Sequence, residues 1–215
     1  SHNGVLFLDE LPEFKRSVLE VMRQPMEDRK VTISRSRFSV TYPASFMLVA
    51  SMNPCPCGYF NHPEKECVCG PGIVQKYLNK ISGPLLDRID LHVEVTPVSF
   101  NELSSERKTE DSNTIREKVI RAREIQAKRF EQMEGMHCNA QMEAQKVQEI
   151  CVISDQARML LSKAMQRLNL SARAYDRILK VARTIADLAN SEEIKTEHIA
   201  EAIQFRSLDR ENWGQ

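Results

Sequence analysis

Four consecutive apolar residues, Val5 to Leu8, run straight into two carboxylates, Asp9 and Glu10, followed by Leu11-Pro12. A short, unbroken apolar run rich in β-formers predicts a strand covered on both faces, as in the parallel sheet of an α/β fold. Ligands of such sheets bind at the carboxyl ends of the strands, which is where Asp9 and Glu10 fall. Burying an unpaired carboxylate is costly, so two adjacent acids at a strand tip point to a polar site rather than to packing. They suit a Mg²⁺–nucleotide site, in which one acid helps hold the metal and its waters and the other orients an attacking water. An N-cap pair for a helix starting near Pro12 is the alternative reading of the same two residues.

The remaining pattern is mixed at first and helical later. Residues 13–26 carry Phe14, Val18, Leu19 and Met22 at helical spacing, with Pro25 predicting the end of the helix. In residues 30–42, Val31/Ile33 and Phe38/Val40/Tyr42 alternate with polar residues around Ser34-Arg35-Ser36-Arg37, which predicts a β-hairpin with a basic tip. Residues 45–51 predict a second buried strand, and it delivers Asn53 just past its end. Residues 55–72 read as a Cys/Pro/Gly-rich loop, 72–81 as a helix and 91–95 as a last strand closed by Pro97. Residues 99–112 turn polar and predict a linker. Beyond it, residues 114–132, 154–168, 171–189 and 196–205 each carry an apolar stripe, with Ser154, Ser171 and Thr196 as N-caps. Residues 133–153 read as a loop with one helical turn. The expected division is 1–97 for part of an α/β core and 98–215 for an all-α bundle.

Lys+Arg and Asp+Glu balance at 30 each, so a nucleic-acid surface would have to be a local patch. No apolar run approaches the roughly 20 residues of a membrane span, and no signal peptide is recognisable. The expectation is a cytoplasmic protein with no membrane partner. Of six cysteines, four cluster as Cys55-Pro56-Cys57 and Cys67-Val68-Cys69. Their number matches a closed, structural Zn²⁺ site, with His62 able to replace one sulfur. Free or intermittently oxidised thiols and a disulfide pair are the alternatives, and the clustering favours a reducing compartment.

The succession Val5-Leu6-Phe7-Leu8-Asp9-Glu10, hairpin, Ala50-Ser51-Met52-Asn53-Pro54 and Gly83-Pro84-Leu85-Leu86-Asp87-Arg88-Ile89-Asp90 resembles AAA+ ATPases. The resemblance is closest to the magnesium-chelatase-like clade that also contains the MCM helicases. Within it, Asn53-Pro54-Cys55-Pro56-Cys57-Gly58-Tyr59 and Ser171-Ala172-Arg173-Ala174-Tyr175-Asp176-Arg177 are similar to the bacterial ComM/YifB family. It covers essentially the whole chain.

What this resemblance implies is specific. Asp9 would be the Walker B acid supporting the Mg²⁺ of ATP, Glu10 would polarise the hydrolytic water, and Asn53 would be sensor 1. Arg88 would be the arginine finger reaching a neighbouring subunit's nucleotide, its rigid fork suited to charge spread over phosphoryl oxygens. Arg173 would be sensor 2, acting across a subunit interface from a helical lid. Without the resemblance, Arg88 reads as a salt bridge to Asp87 or Asp90, and Arg173 as a solvated charge in a helix that also offers Arg177, Lys180 and Arg183. The implied assembly is a hexameric ring coupling ATP hydrolysis to DNA translocation and branch migration in competence and recombination. Its hairpin would project into the pore, where Lys30, Arg35 and Arg37 would grip phosphates without reading sequence. Charges that keep a β-edge soluble are the alternative. Two rivals are a chelatase-type motor remodelling a protein partner and a zinc-containing nucleic-acid-binding module with no motor. No Gly-x-x-x-x-Gly-Lys-[Ser/Thr] phosphate loop occurs in the sequence. The expectation is the C-terminal part of a longer ATPase, inactive by itself.

Overall fold

The computed structural model describes residues 1–70, 72–95, 97 and 110–206. The chain divides into two compact units, the first Ser1–Ile89 and the second beginning at Asp90. It is a mixed α/β structure with a small parallel sheet and several helices.

In the first unit, β1 (Val5–Leu8) pairs in parallel with the strand Met47–Ala50, in the register Val5↔Met47 to Leu8↔Ala50. The pairing continues past the carboxyl ends of the strands: the Ser51 amide donates to the Leu8 carbonyl at 3.0 Å, and the Leu11 amide to the Ser51 carbonyl at 2.9 Å. The expectation of strands covered on both faces needs correcting. Leu8 packs with Leu11, Leu19, Ile81 and Leu85 on one side, whereas Val5, Phe7, Met47 and Val49 are exposed, Phe7 to 58%. Side chains alternate across a strand with period two, so these four residues share one face.

Residues 11–28 break into a 3₁₀ turn (Leu11–Glu13), α1 (Arg16–Val21) and α2 (Arg23–Asp28) rather than one helix. Pro25 does not end the helix. It occupies the first turn of α2, where an amide has no intrahelical acceptor to lose. The α2 helix stops instead at Arg29, whose φ of 53° is left-handed. The predicted hairpin forms as β2 (Lys30–Arg35) and β3 (Phe38–Pro43), joined by the two-residue turn Ser36-Arg37. Cross-strand hydroxyl pairs Thr32–Thr41 (3.0 Å) and Ser34–Ser39 (2.9 Å) line its polar face. Apart from half-buried Val31, its residues are exposed. The strand Met47–Ala50 (β4) follows, then α3 (Ile73–Leu78) and α4 (Gly83–Leu86).

The second unit holds α5 (Ser112–Arg129), α6 (Ala144–Ile150), α7 (Asp155–Arg167), α8 (Ala172–Leu188) and α9 (Thr196–Gln204). The α8 stripe of Ile178, Leu179, Ala182 and Ala186 packs in a core with Val147, Leu161 and Ile199. The side chains of Ser154 and Ser171 cap α7 and α8, accepting from the Ala157 and Ala174 amides at 3.2 Å each. Thr196 is not a cap: Lys195 holds that position, and its amide donates to His198 Nδ1 at 3.1 Å. Residues 133–153 contain a two-turn helix, α6, beyond the single turn expected. The predicted strand 91–95 is absent. Its alternation exists with the polar side inward: His92 is buried and its amide donates to the Phe205 carbonyl, while Leu91, Val93 and Val95 are exposed. Most of the expected linker, and the tail with Trp213, lie outside the described residues. No described helix is long and apolar enough to cross a membrane.

Candidate nucleotide and metal sites

Parallel pairing of two apolar strands in the register Leu8↔Ala50 makes Asp9 and Ser51 the next opposed residues. The Ser51 hydroxyl donates to Asp9 Oδ1, and the Glu10 amide donates to the same oxygen at 3.1 Å. One residue on, Asn53 Nδ2 donates to both carboxylate oxygens of Glu10, at 3.3 and 3.4 Å. The structure therefore brings Asp9, Glu10 and Asn53 together at one sheet edge. Glu10 has left-handed backbone angles, φ 52° and ψ 51°. For a residue with a Cβ this costs about 1–3 kcal/mol and persists only where the surroundings hold it. Here the Leu11 amide is tied to Ser51 and the Glu13 amide to the Glu10 carbonyl, at 2.9 and 2.8 Å.

Behind this edge, burial raises the Tyr77 phenol above its ordinary pKa. The Glu10 and Glu13 carboxylates raise it further, and a hydrogen bond with the Asn53 backbone opposes them. Asp9 and Glu10 themselves are exposed. Hard oxygen donors open to water fit a cation that retains most of its hydration shell, as Mg²⁺ does. Asp9, backed by Ser51, would hold such an ion with its waters, and the ion would supply positive charge against phosphate oxygens. The carboxylate of Glu10, oriented by the Asn53 amide group, can accept a proton from a water placed against it.

A second cluster begins two residues after Asn53. The sulfurs of Cys55, Cys57, Cys67 and Cys69 all lie within 4.8 Å of one another. Cys55 Sγ is 3.3 Å from Cys57 and 3.7 Å from Cys67, and Cys57 and Cys67 are 3.6 Å apart. All four are free thiols. A backbone hydrogen bond at Tyr59 pulls the Cys57 thiol down to about 6. Cys69 receives a lowering hydrogen bond from the Cys57 backbone, yet burial and the neighbouring thiols push it up to about 12. One thiolate forms readily and makes the next harder to form, which is how a crowded acid cluster titrates. His62 stays out of the set. Its Nδ1 accepts the Glu64 and Lys65 amides at 3.0 and 3.1 Å, and its ring meets Tyr59 edge-on.

The remaining predicted residues lie elsewhere. Arg88 is buried, donating to the Pro84 carbonyl at 2.6 Å and to Glu27 at 2.8 Å, so its ionic partner is neither Asp87 nor Asp90. Arg173 is exposed on the first turn of α8, in the second unit. On the same helix Arg177 pairs with Asp90. Lys30 and Arg35 lie at opposite ends of β2 and Arg37 in the turn, all exposed.

Residues 1–103 match the family model for magnesium chelatase, subunit ChlI, and residues 109–206 match the model for the C-terminal part of the same subunit. The chain belongs to the magnesium-chelatase-like AAA+ family. Within it, the chain is 43% identical over 209 residues to competence protein ComM of Haemophilus influenzae, covering 97% of this chain and 40% of that protein. It is 42% identical over 212 residues to the uncharacterized protein YifB of Escherichia coli, covering 98% of this chain and again 40% of the relative. The chain thus spans about 40% of the length of these curated relatives.

Sequence reasoning missed Ser51 and Tyr77 as members of the edge. Ser51 was available from register alone, since it stands opposite Asp9 once the two strands are laid parallel. Tyr77 carried no signal, because its helix is brought to the edge only by packing.

Proposed function

We propose that this chain supplies the Mg²⁺- and water-handling part of an ATP site in a ring-forming AAA+ ATPase that works on DNA. The observation that carries this reading is the convergence of Asp9, Glu10, Ser51 and Asn53 where two parallel strands end. Asp9 supports the cation, Glu10 activates the hydrolytic water and Asn53 holds Glu10 in place. Arg88 and Arg173 are the candidates for the arginine finger and sensor 2. As a finger, Arg88 has to exchange its Glu27 bridge for phosphate oxygens, a partner its planar fork fits equally well. ATP, Mg²⁺ and further copies of the protein are the partners this reading requires.

DNA is favoured over a protein client by the exposed hairpin, whose tip places Arg35 and Arg37 within three residues. The relationship to a competence protein points the same way. The deciding experiment is Glu10→Gln in the full-length protein, assayed for ATP binding and for turnover with and without single-stranded DNA. Turnover is expected to fall about 10²-fold or more, the usual contribution of a positioned base, while ATP binding persists. Wild-type turnover by the variant refutes the site, and wild-type turnover indifferent to DNA refutes the client.

A further inference from the structure

We infer that Cys55, Cys57, Cys67 and Cys69 bind one structural Zn²⁺, and that this metal clamps the segment carrying Asn53. A tetrahedral ZnS₄ centre with Zn–S near 2.3 Å requires sulfurs about 3.8 Å apart. Three of the pairs stand at 3.3, 3.6 and 3.7 Å, already near the edges of that tetrahedron. A disulfide would need about 2.05 Å. Four sulfur donors with no nitrogen or oxygen select a soft tetrahedral cation and leave no coordination position for a substrate.

The surroundings are those of a structural metal. Cys55 is wholly buried, packed with Val74, Tyr77 and Leu78 of α3 and beside Met52 and Phe60. The Phe60 amide donates to Cys55 Sγ at 3.3 Å, the outer hydrogen bond that orients and charges a thiolate ligand. The tight turn places Gly58 at φ +81°, with its amide on the Cys55 carbonyl at 3.0 Å, so that both thiols of Cys-Pro-Cys face inward. On binding, four Zn–S bonds form and the thiol protons pass to solvent.

The consequence follows from connectivity. Asn53 lies two residues before Cys55, and Tyr77, packed on Cys55, also hydrogen-bonds with the Asn53 backbone. The metal therefore anchors one side of the segment that holds Glu10. This second part rests on the proposed ATP site; the metal itself does not.

The test begins with metal analysis of the full-length protein purified without chelator, expected to give about one Zn²⁺ per chain. Cobalt replacement is expected to give the intense visible and sulfur-to-metal bands of a tetrahedral thiolate site. Neither measurement needs a variant that folds. Zinc-free protein without a cobalt spectrum, or cysteines found paired as disulfides, overturns the metal site; iron in place of zinc overturns the assignment of the ion. Cys57→Ser together with Cys67→Ser is then expected to abolish zinc and to open residues 58–66 to proteolysis. In this variant ATP turnover is expected to drop. If zinc is lost and turnover is unchanged, while Glu10→Gln is dead, the clamp fails and the ATP site stands.

Discussion

Asp187 is 2% exposed and yet fully engaged as an acceptor. Arg129 grips both its oxygens, at 2.7 and 2.5 Å, and Asn139 Nδ2 and Arg183 Nε add bonds at 2.8 and 3.1 Å. Removing one partner of a buried pair leaves the others uncompensated, at a cost of about 3–5 kcal/mol. Asp187→Ala is therefore expected to lower the unfolding free energy of the second unit by that amount in urea titrations. A loss below about 1 kcal/mol would mean that water replaces the carboxylate. Cys151 obeys the opposite rule. Burial pushes its thiol up to about 11, with Arg183 and Arg129 only partly offsetting it. In the unfolded chain it ionises near the ordinary value of about 8.5. Its contribution to stability is thus whole below that value and is lost as pH rises from there toward 11. In the folded protein at pH 8, Cys151 is expected to resist iodoacetamide under conditions that label it in urea, as peptide mapping would show.

At the scale of elements, local rules succeeded where the chain's own side chains satisfy the backbone. Ser154 and Ser171 were readable as caps because a hydroxyl beside the first turn has an orphan amide to accept. Thr196 failed because Lys195 takes the cap position and the histidine three residues after it, His198, serves the Lys195 amide. Pro25 misled because a proline interrupts a helix interior but not its first turn. The hairpin was legible from alternation alone, and its exposure makes it separable from folding. Replacing both Arg35 and Arg37 by Ala is expected to change stability by less than about 0.5 kcal/mol. On the proposed DNA-binding reading, the same change in the full-length protein is expected to weaken single-stranded DNA binding and to flatten the log–log salt dependence by about 0.7 for each phosphate no longer neutralised. An unchanged slope would show that the hairpin touches no phosphate.

At the scale of the whole molecule, the sequence offers an acid pair and a polar strand tip but no Gly-x-x-x-x-Gly-Lys run to cradle phosphates. The 215-residue chain by itself is accordingly expected to show no ATP turnover above background, measured as phosphate release with Mg²⁺. Turnover by the chain alone would mean that phosphates are held by other groups. Composition, the apolar runs and their polar ends determined by themselves that Val5–Leu8 and Met47–Ala50 are strands, that the hairpin stands between them and that the later helices carry apolar stripes. Those features depend on hydrophobic period and backbone chemistry within a few residues. Tertiary structure alone decided that Ser51 meets Asp9, that Arg88 turns inward to Glu27, that residues 91–95 bury His92 instead of joining a sheet, and that four thiols close to within 4.8 Å. Each depends on which distant segment covers which side chain. The energy of that choice lies in contacts between residues tens of positions apart, where local periodicity carries no information.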